Sequence, residues 1–322
     1  MRNRNLIFAT TARLKDLIIH HPQFDIAYQR IIDAYEMKRL ADVAQNLICV
    51  SESGTGKSTL NAALARNFPA YDADERRIIP VLVVSTPPFP TIKNMAEEVL
   101  VKLGDPLFYK GSAVEKTNRI LTYLIKCDVK LVIFDELQHF IDQGKHSSPL
   151  QVSDWLKTII DKANIATVLM GLERSEQILQ INEQLRRRFS HRIDLKAFSL
   201  VSKEEYKSFL SVLCTLQDAL RLPALMNLKN ETVIQRFHFA TNGIIDYMVK
   251  LFIGAYEIAI NNQLSSLNME CLEEAFTQYI WNNAIGDLNP FNNKFKWMRL
   301  DKEGMPFHRF YFVRSSLNAH SR

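Results

Sequence analysis

Four short runs of nearly uninterrupted apolar residues mark the first half of the chain: LICVS (47–51), IPVLVVS (79–85), KLVIFDE (130–136) and IATVLMG (165–171). Continuous apolar character, rather than alternation, is what strands buried on both faces of a parallel sheet display. The segments between the runs are long enough to hold crossover helices, so the pattern predicts repeated βαβ units. HRIDLKAF (191–198) reads as a fifth strand. Upstream, His20-His21-Pro22 breaks the chain, and Ile26, Ile31, Ile32 and Tyr35 then recur at helical spacing. Beyond Phe198 the strand-like runs stop. Ser202 and Glu205 have the spacing of a capping box, Gly243 precedes an apolar helix running toward Ile260, and Asn268 caps another through Trp281. The expected organisation is a helical N-terminal extension (1–45), an α/β domain (46–200), a small all-helical domain (201–281) and a loop-like tail (282–322).

Composition changes this picture little. At 322 residues and 47 % apolar, the chain has material for a substantial core. Cys49, Cys127, Cys214 and Cys271 are far apart and form no CxxC pair, which points to buried thiols rather than a metal site or disulfide framework. MRNRNLIF lacks the apolar run of a signal peptide, and no stretch approaches the roughly 18 apolar residues a membrane span needs. A bacterial cytoplasmic location is the expectation. Charge is informative in its distribution. The net charge is +5, and 291–322 alone carries seven Lys/Arg against two Asp/Glu, the whole excess. A basic end suits a polyanion or an acidic partner, and equally a solubilising surface.

The chemistry begins after the first strand. Ser51-Glu52-Ser53-Gly54-Thr55-Gly56-Lys57-Ser58-Thr59 fits the phosphate-binding pattern G-x-x-x-x-G-K-[ST] except at its first position, where Ser51 stands for glycine. It lies between a strand and a helix carrying Leu60 and Leu64. Gly54 and Gly56 would let backbone N–H groups curl around a phosphate, and the helix N-terminus favours the anion. Lys57 would reach the β- and γ-phosphates of ATP, and Ser58 would ligate Mg²⁺. Ser51 is expected to alter the loop slightly, since its place often needs glycine's freedom. The second element is Leu131-Val132-Ile133-Phe134-Asp135-Glu136, with two acids emerging at a strand's C-terminal end, where open α/β sheets hold ligands. Asp135 would hold Mg²⁺ through water and Glu136 would polarise the attacking water. Paired acids at this place are what ATP-hydrolysing proteins with an additional central strand use. Gln138-His139 reads either as a switch that senses the γ-phosphate or as an ordinary helix start. Glu183-Gln184-Leu185-Arg186-Arg187-Arg188-Phe189 ends in a basic cluster, which could be a solvated helix end meeting the helix dipole.

With these motifs in this order the chain resembles an AAA+ ATPase, and more narrowly the TniB/TnsC family of transposition regulators related to MuB. The resemblance covers about residues 15–280. It is carried by the HHPQF lead-in, SESGTGKST, FDELQH (134–139), VLMGLERS (168–175), EQLRRRF (183–189) and TNGIIDYMVKL (241–251). It implies an α/β fold, a five-stranded mostly parallel sheet between helices followed by a helical lid. It also implies an arginine that reaches the ATP of a neighbouring subunit, for which Arg188 is favoured over Arg186 and Arg187. Two departures stand out: Leu172 is apolar where a polar sensor is usual, and the arginine expected near 241–246 is missing. Either turnover is slow and regulatory or sensing uses other groups; neither departure touches binding.

Such proteins assemble as homo-oligomeric rings or filaments on duplex DNA, connect a target-selecting protein or RNA-guided complex to transposase subunits, and leave on hydrolysis. The DNA-facing region of the family lies between the second and third strands, and its phosphate contacts are sequence-independent and salt-sensitive. Here that region offers Lys93, Lys102, Lys116 and Arg119, the last two sharing a helix face. The tail aromatics Trp297, Phe307, Phe310, Tyr311 and Phe312 among the cations suit stacking on bases, anchoring in a protein groove or a plain terminal hairpin, and the resemblance favours docking of a transposase partner. Two other readings compete. A replication initiator or loader usually adds a sensor arginine and a terminal DNA-reading domain. A nucleotide-gated scaffold would not need Asp135-Glu136.

Overall fold

The apolar runs become the strands of one sheet. The computed structural model describes residues 2–74, 76–142, 149–189, 191–223 and 226–309. In chain order the elements are α1 (Arg2–Asp16), α2 (Pro22–Ala41), β1 (Asn46–Ser51), α3 (Lys57–Asn67), β2 (Tyr71–Ala73), β3 (Arg76–Ile78), β4 (Val81–Ser85), α4 (Ile92–Leu103) and α5 (Ala113–Lys126). They continue with β5 (Leu131–Asp135), α6 (Gln138–Asp142), α7 (Pro149–Ala163), β6 (Ala166–Leu172), α8 (Gln177–Ile181), α9 (Glu183–Arg186), β7 (His191–Leu195), α10 (Lys203–Leu220), α11 (Glu231–Thr241), α12 (Ile245–Asn261) and α13 (Met269–Tyr279).

The main sheet has the order β4-β5-β6-β1-β7 and every pairing in it is parallel. Strand β6 therefore stands between the phosphate-loop strand β1 and the acid-bearing strand β5. A short antiparallel hairpin, β2–β3, is the one addition the apolar pattern did not announce, because it is three residues long on each side and mostly exposed. Strand side chains Ile48, Val50, Leu82, Val84, Val132, Phe134 and Leu169 share one core with Met95, Val99 and Leu100 of α4, Ile120 and Leu124 of α5, and Val152, Leu156 and Ile159 of α7.

Helix starts follow local chemistry. Thr91 and Ser112 begin α4 and α5 with reciprocal capping boxes. At α10 only half of that device forms, the Glu205 N–H donating to Ser202 Oγ. His21 caps α2, its Nδ1 accepting from the Phe24 N–H. Burial holds the imidazole well below its ordinary range, at about 4.

The chain divides into two units, residues 20–197 and residues 1–19 with 198–322. The helical unit thus includes α1, whose Ile7 and Leu14 join a core with Phe209, Leu213, Phe237, Leu251, Phe252 and Phe276. Gly243, at φ 71°, lies against Phe198 so closely that a Cβ would collide with the Phe198 carbonyl. The described part of the tail belongs to this core as well. Phe307 is buried against Tyr247, so it is not available for docking a partner. Trp297 is half-exposed and packs with Phe239, Phe295 and Arg236. Phe310, Tyr311 and Phe312 lie outside the described residues. Three cysteines are buried, Cys214 is half-buried, and all four are free thiols.

Candidate nucleotide-binding site

The site is assembled wholly from the α/β unit, at the C-terminal ends of β1, β5 and β6. The loop from Ser51 to Gly56 turns the chain from β1 into α3 through two left-handed glycines, Gly54 at φ 77° and Gly56 at φ 109°. Gly56 would have room for a Cβ, so its backbone angle rather than its surroundings demands glycine. Ser51 is different. It is the last residue of β1, paired in register with Leu172 and Leu195, and is absent from the positive-φ positions. The departure at this position therefore costs the loop no conformational freedom, contrary to the expectation from the motif. The loop is tied to the end of β7, with the Glu52 N–H and the Thr55 hydroxyl both donating to the Leu195 carbonyl (3.2 Å each).

Lys57 opens α3, with its side chain buried and its ammonium 3.9 Å from Glu136 Oε1. Ser58, beside it, is exposed. Asp135 is the last residue of β5 and only 6 % exposed. Its Oδ1 accepts from the Glu136 N–H and its Oδ2 from Asn61 Nδ2, each at 2.7 Å. Burial pushes the Asp135 carboxyl above the ordinary carboxylate range, the neighbouring Glu136 charge adds to this, and the bond from the Glu136 N–H, Lys57 and Asn61 pull it back. Mg²⁺ is characteristically held by one or two protein oxygens together with substrate phosphates, and Asp135 with the Ser58 hydroxyl fits that requirement.

Asn61 and Thr86, which no motif marked, and Gln138-His139, which the sequence left open between a switch and a helix start, surround the acids. Asn61 sits one helical turn beyond Lys57, on the same face, and anchors Asp135. Thr86, just past β4, donates its hydroxyl to the Asp135 carbonyl at 2.7 Å, and His139 Nδ1 lies 2.9 Å from the Thr86 carbonyl. Gln138 is buried and bonded both to Glu136 Oε2 and to the Leu172 N–H. The i, i+4 spacing of Asn61 was a usable signal; the contacts of Thr86, His139 and the Leu172 N–H join residues 34 to 53 positions apart and leave no local trace.

Elsewhere the candidates separate. Leu185 and Phe189 bury the two ends of the α9 segment, and its three arginines differ. Arg188 is held bidentately by Asp161 (2.6 and 2.9 Å) and by the Gln184 carbonyl. Arg187 pairs with Glu183. The Arg186 side chain is exposed and has no partner among the described residues. In the region between β4 and β5, Lys93 and Lys102 are exposed. Lys116 corrects the sequence expectation: it is fully buried, its ammonium donating to the Phe108 and Lys110 carbonyls and lying 3.1 Å from Glu97. It cannot reach a phosphate. Arg119 shares this work, donating to the Leu107 and Lys110 carbonyls and facing Asp105.

The sheet order, with a strand interposed between the phosphate loop and the paired acids, defines the class: the chain is an AAA+ ATPase. The family model described as bacterial TniB protein matches residues 11–199. The chain belongs to the TniB family. Its fold is similar to that of Cdc6p from Pyrobaculum aerophilum (TM-score 0.63, 13 % identity, 83 % of this chain and 70 % of that one). It is also similar to that of the Aeropyrum pernix Orc1 protein solved in complex with DNA (TM-score 0.58, 14 % identity, 83 % and 67 %). The Aeropyrum pernix Orc2 protein, solved with ADPNP and ADP, is alike to a similar degree (TM-score 0.57, 14 % identity, 78 % and 67 %). No curated protein sequence matches the chain. Among the described residues no helix is long and apolar enough to cross a membrane.

Proposed function

We propose that this protein is an ATP-dependent regulator of DNA transposition that assembles on duplex target DNA, joins a target-selection factor to the transposase, and disassembles when ATP is hydrolysed. Membership of the TniB family, together with the convergence of Lys57 on Asp135 and Glu136, carries this reading. In it the N–H groups of 51–59 cradle the phosphates, Lys57 neutralises their charge, Ser58 and Asp135 hold Mg²⁺, and Glu136 polarises the attacking water. Mg²⁺ held by Ser58 and Asp135 would supply neutralisation of phosphate charge, a use for a buried carboxylate at Asp135. An arginine from a neighbouring subunit completes the site, making ATP a cement between protomers. Arg186 is the better candidate for that role than Arg188, because Arg188 is already committed to Asp161 and Gln184. DNA contacts fall to Lys93 and Lys102 rather than to Lys116.

The alternative is a replication initiator or loader, suggested by the likeness to Cdc6p and Orc1; at 13–14 % identity that likeness is one of fold. Electron microscopy of the protein with duplex DNA, ATP and Mg²⁺ tests the proposal. ATP-dependent rings or filaments are expected for the wild type and none for Lys57→Ala; equal assembly by both proteins would overturn it. Stimulation of strand transfer by a transposase encoded beside this gene separates transposition from replication.

A further inference from the structure

Gln138 is almost wholly buried (3 % exposed) beside the proposed water-activating group, and both ends of its amide are used. Its Oε1 accepts from the Leu172 N–H at 3.1 Å, and its Nε2 donates to Glu136 Oε2. The two partners fix the orientation of the amide, because an N–H must face oxygen and a carboxylate must face nitrogen. Leu172 ends β6 directly beside Ser51, so Gln138 connects the root of the phosphate loop to Glu136. The surroundings make space for this connection. A Cβ at Gly171 would collide with Ser175 Oγ and would stand 2.8 Å from Gln138 Oε1. The glycine and serine of the MGLERS segment thus leave room for the amide. On its other side Glu136 meets Lys57, so its two carboxylate oxygens face different partners.

We propose that Gln138 is the positioning residue for Glu136, holding Oε2 so that Oε1, the oxygen on the Lys57 side, is presented to the water that attacks ATP. This rests on the reading of Glu136 as the group that polarises water. Leu172 brings no polar side chain to the site; its backbone N–H, relayed through Gln138, does that work instead. A side chain with only a donor or only an acceptor cannot make both bonds, which restricts the position to a long amide.

The test uses the full chain with ATP and Mg²⁺. Gln138→Met removes both bonds at nearly constant volume. Gln138→Glu keeps an acceptor for the Leu172 N–H but sets a second carboxylate against Glu136, and it serves where the apolar variant fails to fold. Losing a hydrogen bond to a charged group predicts that kcat falls about 10- to 100-fold in both, with KM and the Kd of a fluorescent ATP analogue within about twofold of wild type, as for an interaction that matters only in the transition state. In a Glu136→Gln background the same Gln138→Met change should lower the residual single-turnover rate far less, since there is no carboxylate left to position. Wild-type kcat in both variants, or an equal loss in the Glu136→Gln background, would overturn the role of Gln138 alone. Wild-type turnover in Glu136→Gln itself would overturn the role of Glu136 and this proposal with it.

Discussion

Lys57 and Lys116 are both buried lysines, and the difference between their surroundings separates a binding site from a scaffold. Around Lys116 the chain supplies two carbonyls and a carboxylate, so the ammonium is satisfied at home. Around Lys57, among the described residues, the ion pair is a long one, with the Glu136 carboxylate at 3.9 Å, beside the glycine loop that opens α3. A buried charge with a full set of partners rigidifies its neighbourhood, here the loop between α4 and α5. A buried charge left short of partners is prepared for a ligand.

The largest effect is expected from Lys57→Ala, which should abolish ATP binding in a fluorescent-nucleotide titration while leaving the denaturation midpoint near that of wild type. Lys116→Ala should do the reverse, because stripping one partner from a buried ion pair costs about 3 kcal/mol or more; urea unfolding reads this, and ATP binding should persist at concentrations where the protein is folded. If Lys116→Ala left stability unchanged and weakened DNA binding, the scaffold reading would be wrong.

His21 offers a third case, a buried base kept neutral. Its folded-state value of about 4 lies below the ordinary 6.5. The sign follows: folding favours the neutral ring, so this stabilisation is fully present above pH 6.5 and is lost as the pH falls toward 4. The loss amounts to at most about 3 kcal/mol. Protonation also removes the lone pair that caps α2. His21→Asn, which retains a capping oxygen, should flatten this part of the stability–pH curve measured by urea unfolding. Among the arginines, Arg186→Ala should impair ATP-dependent assembly and hydrolysis with normal nucleotide binding, whereas Arg188→Ala should act through stability; the opposite result would return the trans-acting role to Arg188. The smallest effect is expected at Lys93 and Lys102. Changing each to Glu should flatten the slope of log K for DNA against log salt by about 0.9 per lost phosphate contact, whereas Lys116→Met should not change it.

The sheet and the paired motifs were legible because their signals are local. Buried parallel strands must be apolar throughout, and a phosphate loop must place glycine and lysine at fixed spacing. The hairpin β2–β3 was not legible, since it buries little. The fate of the cations was not legible either: the i, i+3 spacing correctly put Lys116 and Arg119 on one helix face, but whether that face meets solvent or the 105–110 loop depends on the fold of the loop. Gln138 was read two ways for a similar reason, as its partner Leu172 is 34 positions away. The placement of α1 with the helical unit joins segments almost two hundred residues apart in the chain, and no local pattern reports that.

The backbone of Glu136 sits in the left-handed region, at φ 58°. Only residues that tolerate this conformation can occupy the position without strain, and β-branched side chains tolerate it least. A saturation library at position 136, sorted for folded protein rather than for activity, should therefore return Gly, Asn and Asp readily and Val, Ile and Thr rarely. The position is open to loss of the acid yet closed to a whole class of side chains. Well-folded variants of this ATPase that lack the acid at position 136 are thus expected to descend through a narrow set of substitutions.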